Sequence, residues 1–301
     1  MSGGAARTVA VTGAAGFVGG ALCRALVRHG FTVRALVRDP SAARLDPALQ
    51  RARCALPDGI DPAAFAGVDV LLHAAWATRE TDAAKARLVN EDGTRRLLEA
   101  ARRAGVRSRV FISSIAARPD APSYYGRSKW EAERLFDDPA DLIVRPGLVL
   151  GPGGQGLFQQ LLGAAERLHV VPLFAGGRQP LHTVHIDDLC EAVAAALEHG
   201  LTGTVTVAEP EPIAMKDFLR AMVQLRGIRC LFVPLPFAPM LAGLQTAERA
   251  GVTLPLRSES LLGLAGMQRI DVRADLARLG VPIRPAIDSL RAILGPARVG
   301  G

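Results

Sequence analysis

Tyr125 and Lys129, in the run Tyr125-Gly126-Arg127-Ser128-Lys129, follow the pair Ser113-Ser114 by about eleven residues. Residues four apart share one face of a helix, so the Lys129 ammonium can stand beside the Tyr125 phenol. A neighbouring cation favours the phenolate and lowers a pKa that is about 10 when unperturbed. That brings Tyr125 towards general acid/base work near neutral pH. Ser114 would then hydrogen-bond the reacting oxygen, while Tyr124 points elsewhere on the helix.

A second group is Thr12-Gly13-Ala14-Ala15-Gly16-Phe17-Val18-Gly19, placed after a predicted strand and at the start of a predicted helix. Its glycines permit a tight turn, let backbone approach a pyrophosphate and allow close helix packing, and the helix N-terminus favours negative charge. This is a dinucleotide site by type. The choice of dinucleotide falls at the end of the second strand, where an acidic residue binds the ribose 2′-hydroxyl of NAD and an arginine accepts the 2′-phosphate of NADP. The position 24 after Gly13 is Val37, and Arg38 follows it. NADP(H) is therefore the preferred cofactor. NAD(H) is the alternative, with Arg38 a plain surface residue and Asp39 capping the next turn.

The elements that must hold these groups alternate. Residues 7–11, 32–37, 68–73, 107–113 and 142–145 read as short buried strands, and 21–29 and 90–104 as helices ending at Gly30 and Gly105. That alternation predicts right-handed crossovers and a parallel, doubly wound α/β sheet. Pro146, Gly147, Gly151, Pro152, Gly153 and Gly154 then break the pattern. Beyond them come a helix near 157–168, an apolar stretch at 170–174, a helix at 187–199 and a returning strand at 204–207. Further helices are expected near 216–226, 240–250, 258–263, 272–279 and 286–294. These form a smaller, mostly helical lobe over the carboxyl edge of the sheet.

At 301 residues and 49% hydrophobic, the chain can bury a core without disulfides or a structural metal. Lys and Arg outnumber Asp and Glu by 36 to 29, which raises nucleic acid as a partner. Only Lys85, Lys129 and Lys216 are lysines, and the aromatics, 5% of the chain, do not interleave with the basic residues. A solvated arginine-rich surface is expected instead, with no nucleic acid partner. Cys23, Cys54, Cys190 and Cys230 form no Cys-x-x-Cys pair, which excludes a zinc ribbon or disulfide scaffold and fits a reducing compartment. Residues 1–6 lack the apolar run of a secretory signal. The apolar stretch 231–244 is broken by Pro234, Pro236 and Pro239 and is shorter than the roughly 20 residues that span a bilayer. The expectation is a cytoplasmic protein with no membrane span, in which 231–244 is buried or lines a pocket.

Taken together, these motifs resemble the short-chain dehydrogenase/reductase superfamily in its extended NAD(P)-dependent epimerase/dehydratase/reductase branch. The likeness runs over residues 8–197. Besides the glycine loop and the Tyr/Lys pair it rests on His73-Ala74-Ala75, on Val89-Asn90-Glu91-Asp92-Gly93-Thr94, on Arg145-Pro146-Gly147 and on His185-Ile186-Asp187-Asp188. A weaker similarity continues over 271–294. The resemblance implies a Rossmann-type domain in residues 1–146, with 182–208 returning to it, and a substrate lobe in 147–181 and 209–301. It implies Ser114, Tyr125 and Lys129 as the catalytic triad. It also implies cofactor contacts from Gly13, Ala15, Gly16, Phe17, Val18, Gly19, Ala74, Ala75, Tyr125 and Lys129, with Lys129 on the nicotinamide ribose and Arg38 as above. Asn90 would brace the sheet. A small-molecule substrate and a homodimer are the partners it suggests.

Two departures bear on the substrate. Sugar-nucleotide relatives in this branch carry an Asn where this chain has Leu148, and a second phosphate-binding Arg where it has Leu181; Arg178 is a substitute from the loop or an exposed loop residue. Losing two contacts to charge, each worth about 1.5–3 kcal/mol, favours an uncharged or less charged carbonyl or alcohol. A reductase is therefore expected, with a sugar or nucleotide-sugar epimerase/dehydratase as the alternative and an NADP(H)-binding sensor or assembly subunit as an alternative of another class. His182 and His185 have metal-ligand spacing without surrounding carboxylates, so no metal is expected. Asp187 and Asp188 are expected to cap a helix, and Glu131 and Glu133 to face solvent.

Overall fold

The computed structural model describes residues 6–41, 45–78, 80, 82–154, 156–252 and 254–295. Seven strands precede the lobe: β1 (Thr8–Thr12), β2 (Thr32–Val37), β3 (Gln50–Ala55), β4 (Gly59–Ile60), β5 (Val70–His73), β6 (Ser108–Ile112) and β7 (Leu142–Pro146). Between them run helices α1 (Phe17–Arg28), α2 (Ala83–Arg87), α3 (Gly93–Arg103) and α4 (Tyr124–Glu133). The chain continues through β8 (Leu148–Leu150), α5 (Leu157–Leu168), β9 (Val170–Leu173), β10 (Pro180–Leu181), β11 (Thr183–His185), α6 (Ile186–Glu198) and β12 (Gly203–Val207). It closes with β13 (Ile213–Ala214), α7 (Met215–Leu225), β14 (Leu231–Pro234), α8 (Phe237–Arg249), α9 (Ser258–Ala265), α10 (Arg273–Leu279) and α11 (Ala286–Leu294).

The main sheet has the order β12-β7-β6-β5-β1-β2-β3-β4 and is parallel apart from the β3–β4 pair. Strand order reverses between β1 and β5, which pair in register from Val9↔Val70 to Thr12↔His73. In an open α/β sheet the crevice outside the carboxyl ends at such a reversal is where ligands bind. This is a Rossmann-type fold.

Side chains alternate across the strands as a period of two requires. Val9, Val11, Val33, Ala35, Leu72 and Val110 pack on one face with α1 and α6. Ala10, Leu36, Leu71 and Phe111 pack on the other with α3 and α4. Leu22 and Leu26 of α1 are fully buried, each burial worth about 1.5–3 kcal/mol. A third apolar cluster draws on Leu150 to Leu181 and then Met215 to Leu290. In contrast, Leu279 of α10 joins the sheet core. There α10 covers the β12 edge, with Asp275 taking the Thr206 N–H and Arg278 reaching the Thr202 and Thr204 carbonyls. Covering an edge strand in this way blocks pairing with another chain.

Several local expectations are corrected. The expected strands include no counterpart to β3, because Gln50, Arg51 and Arg53 are exposed and its apolar face is only Ala52 and Cys54, which pack in the sheet core. Helix α1 begins at Phe17 rather than near residue 21, since Gly19 and Gly20 lie inside it. Residues 88–92 form a π-turn ahead of α3 where a continuous helix was expected. No residue of 231–244 is buried, so the expectation of burial is not met; Met240 and Leu244 line a cavity, the other form of that expectation.

Candidate active site

The glycine loop lies directly at the strand-order reversal. Gly13 has φ +68°, and a Cβ there would stand 2.8 Å from the Ala75 nitrogen; one on Gly19 would stand 2.3 Å from the Gly13 carbonyl oxygen. Glycine at both places is what lets the loop close against Ala74-Ala75 and lets α1 start over it. The Gly16 N–H donates to the Gly13 carbonyl at 2.8 Å. Gly16 caps α1 without a side-chain hydrogen bond, and the first turn holds no acid, so free N–H groups and the positive end of the helix dipole face outward. Ala15 and Gly16 are exposed and Val18 is half-buried. These residues fit a pyrophosphate. The Phe17 ring is directed elsewhere, against the turn at Gly151 and Gly154, which leaves its backbone as the part facing a ligand.

A buried hydrogen-bond chain fixes this loop. Thr12 Oγ1 accepts from the Ala74 and Ala75 N–H groups at 3.1 and 3.2 Å, so its own proton goes to His73 Nδ1 at 2.7 Å. Thr94 donates to the Asn90 carbonyl at 2.6 Å and so accepts from His73 Nε2 at 2.9 Å. His73 is thereby fixed as the Nε2–H tautomer. Burial first, and the Lys129 charge second, push its pKa down to about 3, so it transmits geometry and carries no charge. Asn90 Oδ1 accepts the Ala77 N–H at 2.7 Å, a bracing role as expected.

Gly19→Ala is expected to weaken NAD(P)H binding by at least about tenfold, roughly 1.4 kcal/mol, because the added Cβ meets backbone rather than a side chain that can move. Gly163→Ala, in α5 with nothing within 4 Å, is the control and should leave affinity unchanged. Equal affinities in a fluorescence titration would rule the loop out as the cradle.

Ser114, Tyr125 and Lys129 are brought together where β6 ends. Helix α4 starts on Ser123, whose Oγ accepts from the Gly126 N–H at 3.2 Å, and a Cβ on Gly126 would lie 2.5 Å from the Ala116 carbonyl oxygen. This close approach seats the first turn of α4 against the segment after β6, where the Tyr125 phenol interacts with Ser114. Lys129 is 3% exposed. Its Nζ donates to the Ile112 carbonyl at 2.7 Å and stands 3.9 Å from the Trp76 ring centroid and 4.5 Å from that of Phe111. Burial lowers its pKa to about 7, with the Glu133 carboxylate opposing. The Tyr125 phenol is pushed up by burial, with the Ser114 hydrogen bond opposing. That differs from the expected lowering by Lys129: the ammonium is engaged with Ile112, Trp76 and Phe111.

Glu133, expected to face solvent, is 5% exposed. It accepts from Ser113 Oγ at 2.5 Å and from Arg145 Nε at 2.9 Å, and Arg145 also donates to its second oxygen. Tyr125, Lys129 and Glu133 lie at successive spacings of four, so the rule that paired the first two also places the third on their face. Trp76 had no such signal. Tyr124 points away, its hydroxyl 3.3 Å from Glu91 Oε1.

Arg38 stands exposed just past β2 with no ion-pair partner among the described residues, and Val37 before it is buried. Asp39 accepts from the Ser41 N–H and hydroxyl. On the substrate side, Leu181 is fully buried in the lobe cluster and Leu148 packs against it, while Arg178 is exposed. His182 donates from Nδ1 to the Glu209 carbonyl and accepts the Ile270 N–H at Nε2. The cap of α6 is His185, through Nδ1 to the Asp187 N–H, and not the two aspartates. Asp188 instead pairs with the Arg284 guanidinium and N–H, joining α6 to the segment before α11.

The model of the NAD dependent epimerase/dehydratase family matches residues 9–208, and the chain belongs to that family. It is 31% identical over 239 residues to the ceramide reductase of Caulobacter vibrioides, covering 76% of this chain and 73% of that one. It is also 31% identical over 272 residues to the 4-hydroxy-2-methyl-3-oxo-4-farnesyl-3,4-dihydroquinoline-1-oxide ketoreductase of Stigmatella aurantiaca, covering 79% of each. Among solved structures, gox2253 superposes with a TM-score of 0.72 at 28% identity, over 94% of this chain and 95% of that one. The protein is an NAD(P)-dependent oxidoreductase. No helix among the described residues is long and apolar enough to cross a membrane.

Proposed function

We propose that the chain is an NADP(H)-dependent reductase/dehydrogenase acting on a carbonyl or alcohol, with Ser114, Tyr125 and Lys129 as its catalytic residues. The observation that carries this reading is the meeting of the Tyr125 phenol with Ser114 where β6 ends, with a buried lysine one turn further along α4. When bound, the nicotinamide ring supplies or accepts the hydride. Tyr125 holds the proton at Oη and gives it to the nascent alkoxide in reduction, or takes it from the alcohol in oxidation. Ser114 Oγ orients the reacting oxygen by a hydrogen bond. Lys129, buried one turn further along α4, orients the nicotinamide ribose. Such acid/base help is worth about 10²–10⁴ in rate.

Leu148 and Leu181, packed in apolar surroundings, support an uncharged carbonyl over a nucleotide-sugar, and the reductase and ketoreductase names of the sequence relatives point the same way. Arg38 supports NADP(H). The split of the apolar clusters supports a substrate lobe made of 147–181 with 209–301, minus α10. The four free cysteines suit a cytoplasmic setting, and a homodimer is the assembly this reading carries.

The test is depletion of NADPH or NADH against a panel of ketones, with both cofactors titrated. Arg38→Leu should reduce the NADPH preference about tenfold or more, as expected for a lost hydrogen bond to a charged group. Tighter NADH binding by the unmodified chain would overturn the cofactor assignment. Cofactor retained through purification, with sugar conversion and no net NADPH consumption, would establish the epimerase/dehydratase reading instead.

A further inference from the structure

The core of the lobe is incompletely filled. Between α5, β9, α7, α8 and α9 lies a cavity of about 130 Å³, lined by Leu161, Leu219, Met240, Leu244 and Leu264 among others. An apolar cavity of about 150 Å³ stays dry and binds benzene, so this one has room for a segment of roughly six carbons. Its wall includes Leu168 and Val170, which are 53% and 37% exposed, and Val170 pairs with Leu231, which is 65% exposed. Of the large hydrophobic residues exposed among those described, only Val27 and Leu88 lie outside this lobe. The cavity therefore opens onto an apolar rim.

One polar group in the wall has an unmet bond. Gln179 Nε2 donates to the Phe174 carbonyl at 2.9 Å. A carbonyl only accepts, so the amide cannot be turned round. Its Oε1 is left buried without a partner, an arrangement that is destabilising until a donor arrives. Helix α9 connects this cavity to the Tyr125 region. Its Leu261 and Leu264 line the cavity, while Glu259 accepts the Tyr124 N–H at 2.8 Å and Gly263 lies beside Ser123.

We propose that the cavity binds an apolar chain or ring carrying one hydroxyl or amide N–H, with Gln179 Oε1 as the acceptor. The occupant is the distal end of the substrate whose carbonyl reaches Tyr125, a step that rests on the reductase reading above. The substrate class is thus an amphipathic ketone or alcohol with an aliphatic or alicyclic body.

Calorimetry with 1-alkanols from butanol to decanol reads the cavity without turnover, and alkyl methyl ethers of matched length serve as donor-free probes. Affinity should rise about fourfold per methylene and level off once the cavity is full. Each ether should bind about threefold to tenfold more weakly than its alcohol. Gln179→Met should erase the alcohol–ether difference and keep the chain-length dependence. Leu244→Trp, on the partly exposed α8, should fill the cavity and abolish binding. The site is overturned by absence of saturable binding, by alkanol binding that survives Leu244→Trp, or by self-association that covers Leu168, Val170 and Leu231 and excludes the alkanols. With NADPH and 2-alkanones of rising length, kcat/KM should climb in the unmodified chain and not in Leu244→Trp. A flat series beside intact alkanol binding would overturn the assignment of the cavity to the substrate. Absence of any NADPH oxidation would count against the reductase reading, and the calorimetry would then decide the cavity by itself.

Discussion

Tyr125→Phe should lower kcat by about 10²–10⁴ while NADPH affinity stays within about threefold. The substitution removes a single oxygen from a half-buried ring and keeps its volume, so α4 and the contacts around Gly126 have no reason to move. What disappears is the proton at Oη and the phenol's interaction with Ser114. Because the cradle at Gly13 to Gly19 and Ala74-Ala75 is built from other elements, cofactor binding is independent of that oxygen. Burial holds the phenol above its ordinary pKa, so in the unmodified protein the group remains protonated through neutral pH and is available as an acid. Steady-state kinetics with a reduced ketone, alongside fluorescence titration of NADPH, measures both quantities. A variant with kcat within tenfold of the parent would remove Tyr125 from the proton path.

The parts of this fold that were legible in the sequence are those whose local pattern has one structural solution. A β-branched run followed by Thr12-Gly13-Ala14-Ala15-Gly16 can close only as a strand, a turn and a helix, and β2 matches its expected bounds of 32–37. What escaped depends on partners distant in sequence. β3 is held by pairing with β2 from Arg34↔Gln50 to Val37↔Arg53, and its apolar face is only the two small residues Ala52 and Cys54. Asp187 and Asp188 have the composition of a cap, yet the chain reaches α6 with His185 already at the capping position, and Arg284, 96 residues on, takes Asp188. At the site, the i to i+4 rule located Tyr125 and Lys129, and applied once more it reaches Glu133. A carboxylate late in a helix reads as solvated, yet Ser113, just past β6, and Arg145 of β7 converge on Glu133. The direction of the Tyr125 pKa shift is set by a similar convergence. Spacing puts an ammonium near a phenol, but it does not reveal that Ile112, Trp76 and Phe111 compete for the charge.

That competition gives Lys129 a measurable signature apart from activity. Its pKa in the folded chain is about 7 against the ordinary 10.5 of the unfolded chain, so below about pH 7 both folded and unfolded states are protonated and the folded state bears the full penalty of burying the charge. Between about pH 7 and 10.5 the unfolded state holds a proton that the folded state has released, so stability rises with pH across that window. The opposing contributions are smaller: cation–π contact is worth about 0.5–2 kcal/mol and the bond to the Ile112 carbonyl about 0.5–1.5 kcal/mol, against a few kcal/mol for a shift of this size. Lys129→Met, close in length and apolar, should therefore raise the melting temperature of the cofactor-free protein by about 2–5 °C near pH 6. The gain should shrink as pH approaches about 10. The same variant should lose about 10²-fold or more in kcat/KM, since it removes the group proposed to orient the nicotinamide ribose. Thermal unfolding at several pH values separates the two roles. A melting temperature that falls on substitution, or a difference that does not change with pH, would show that Lys129 is not a buried charge held against its solvation. Retained kcat/KM would remove it from the reaction.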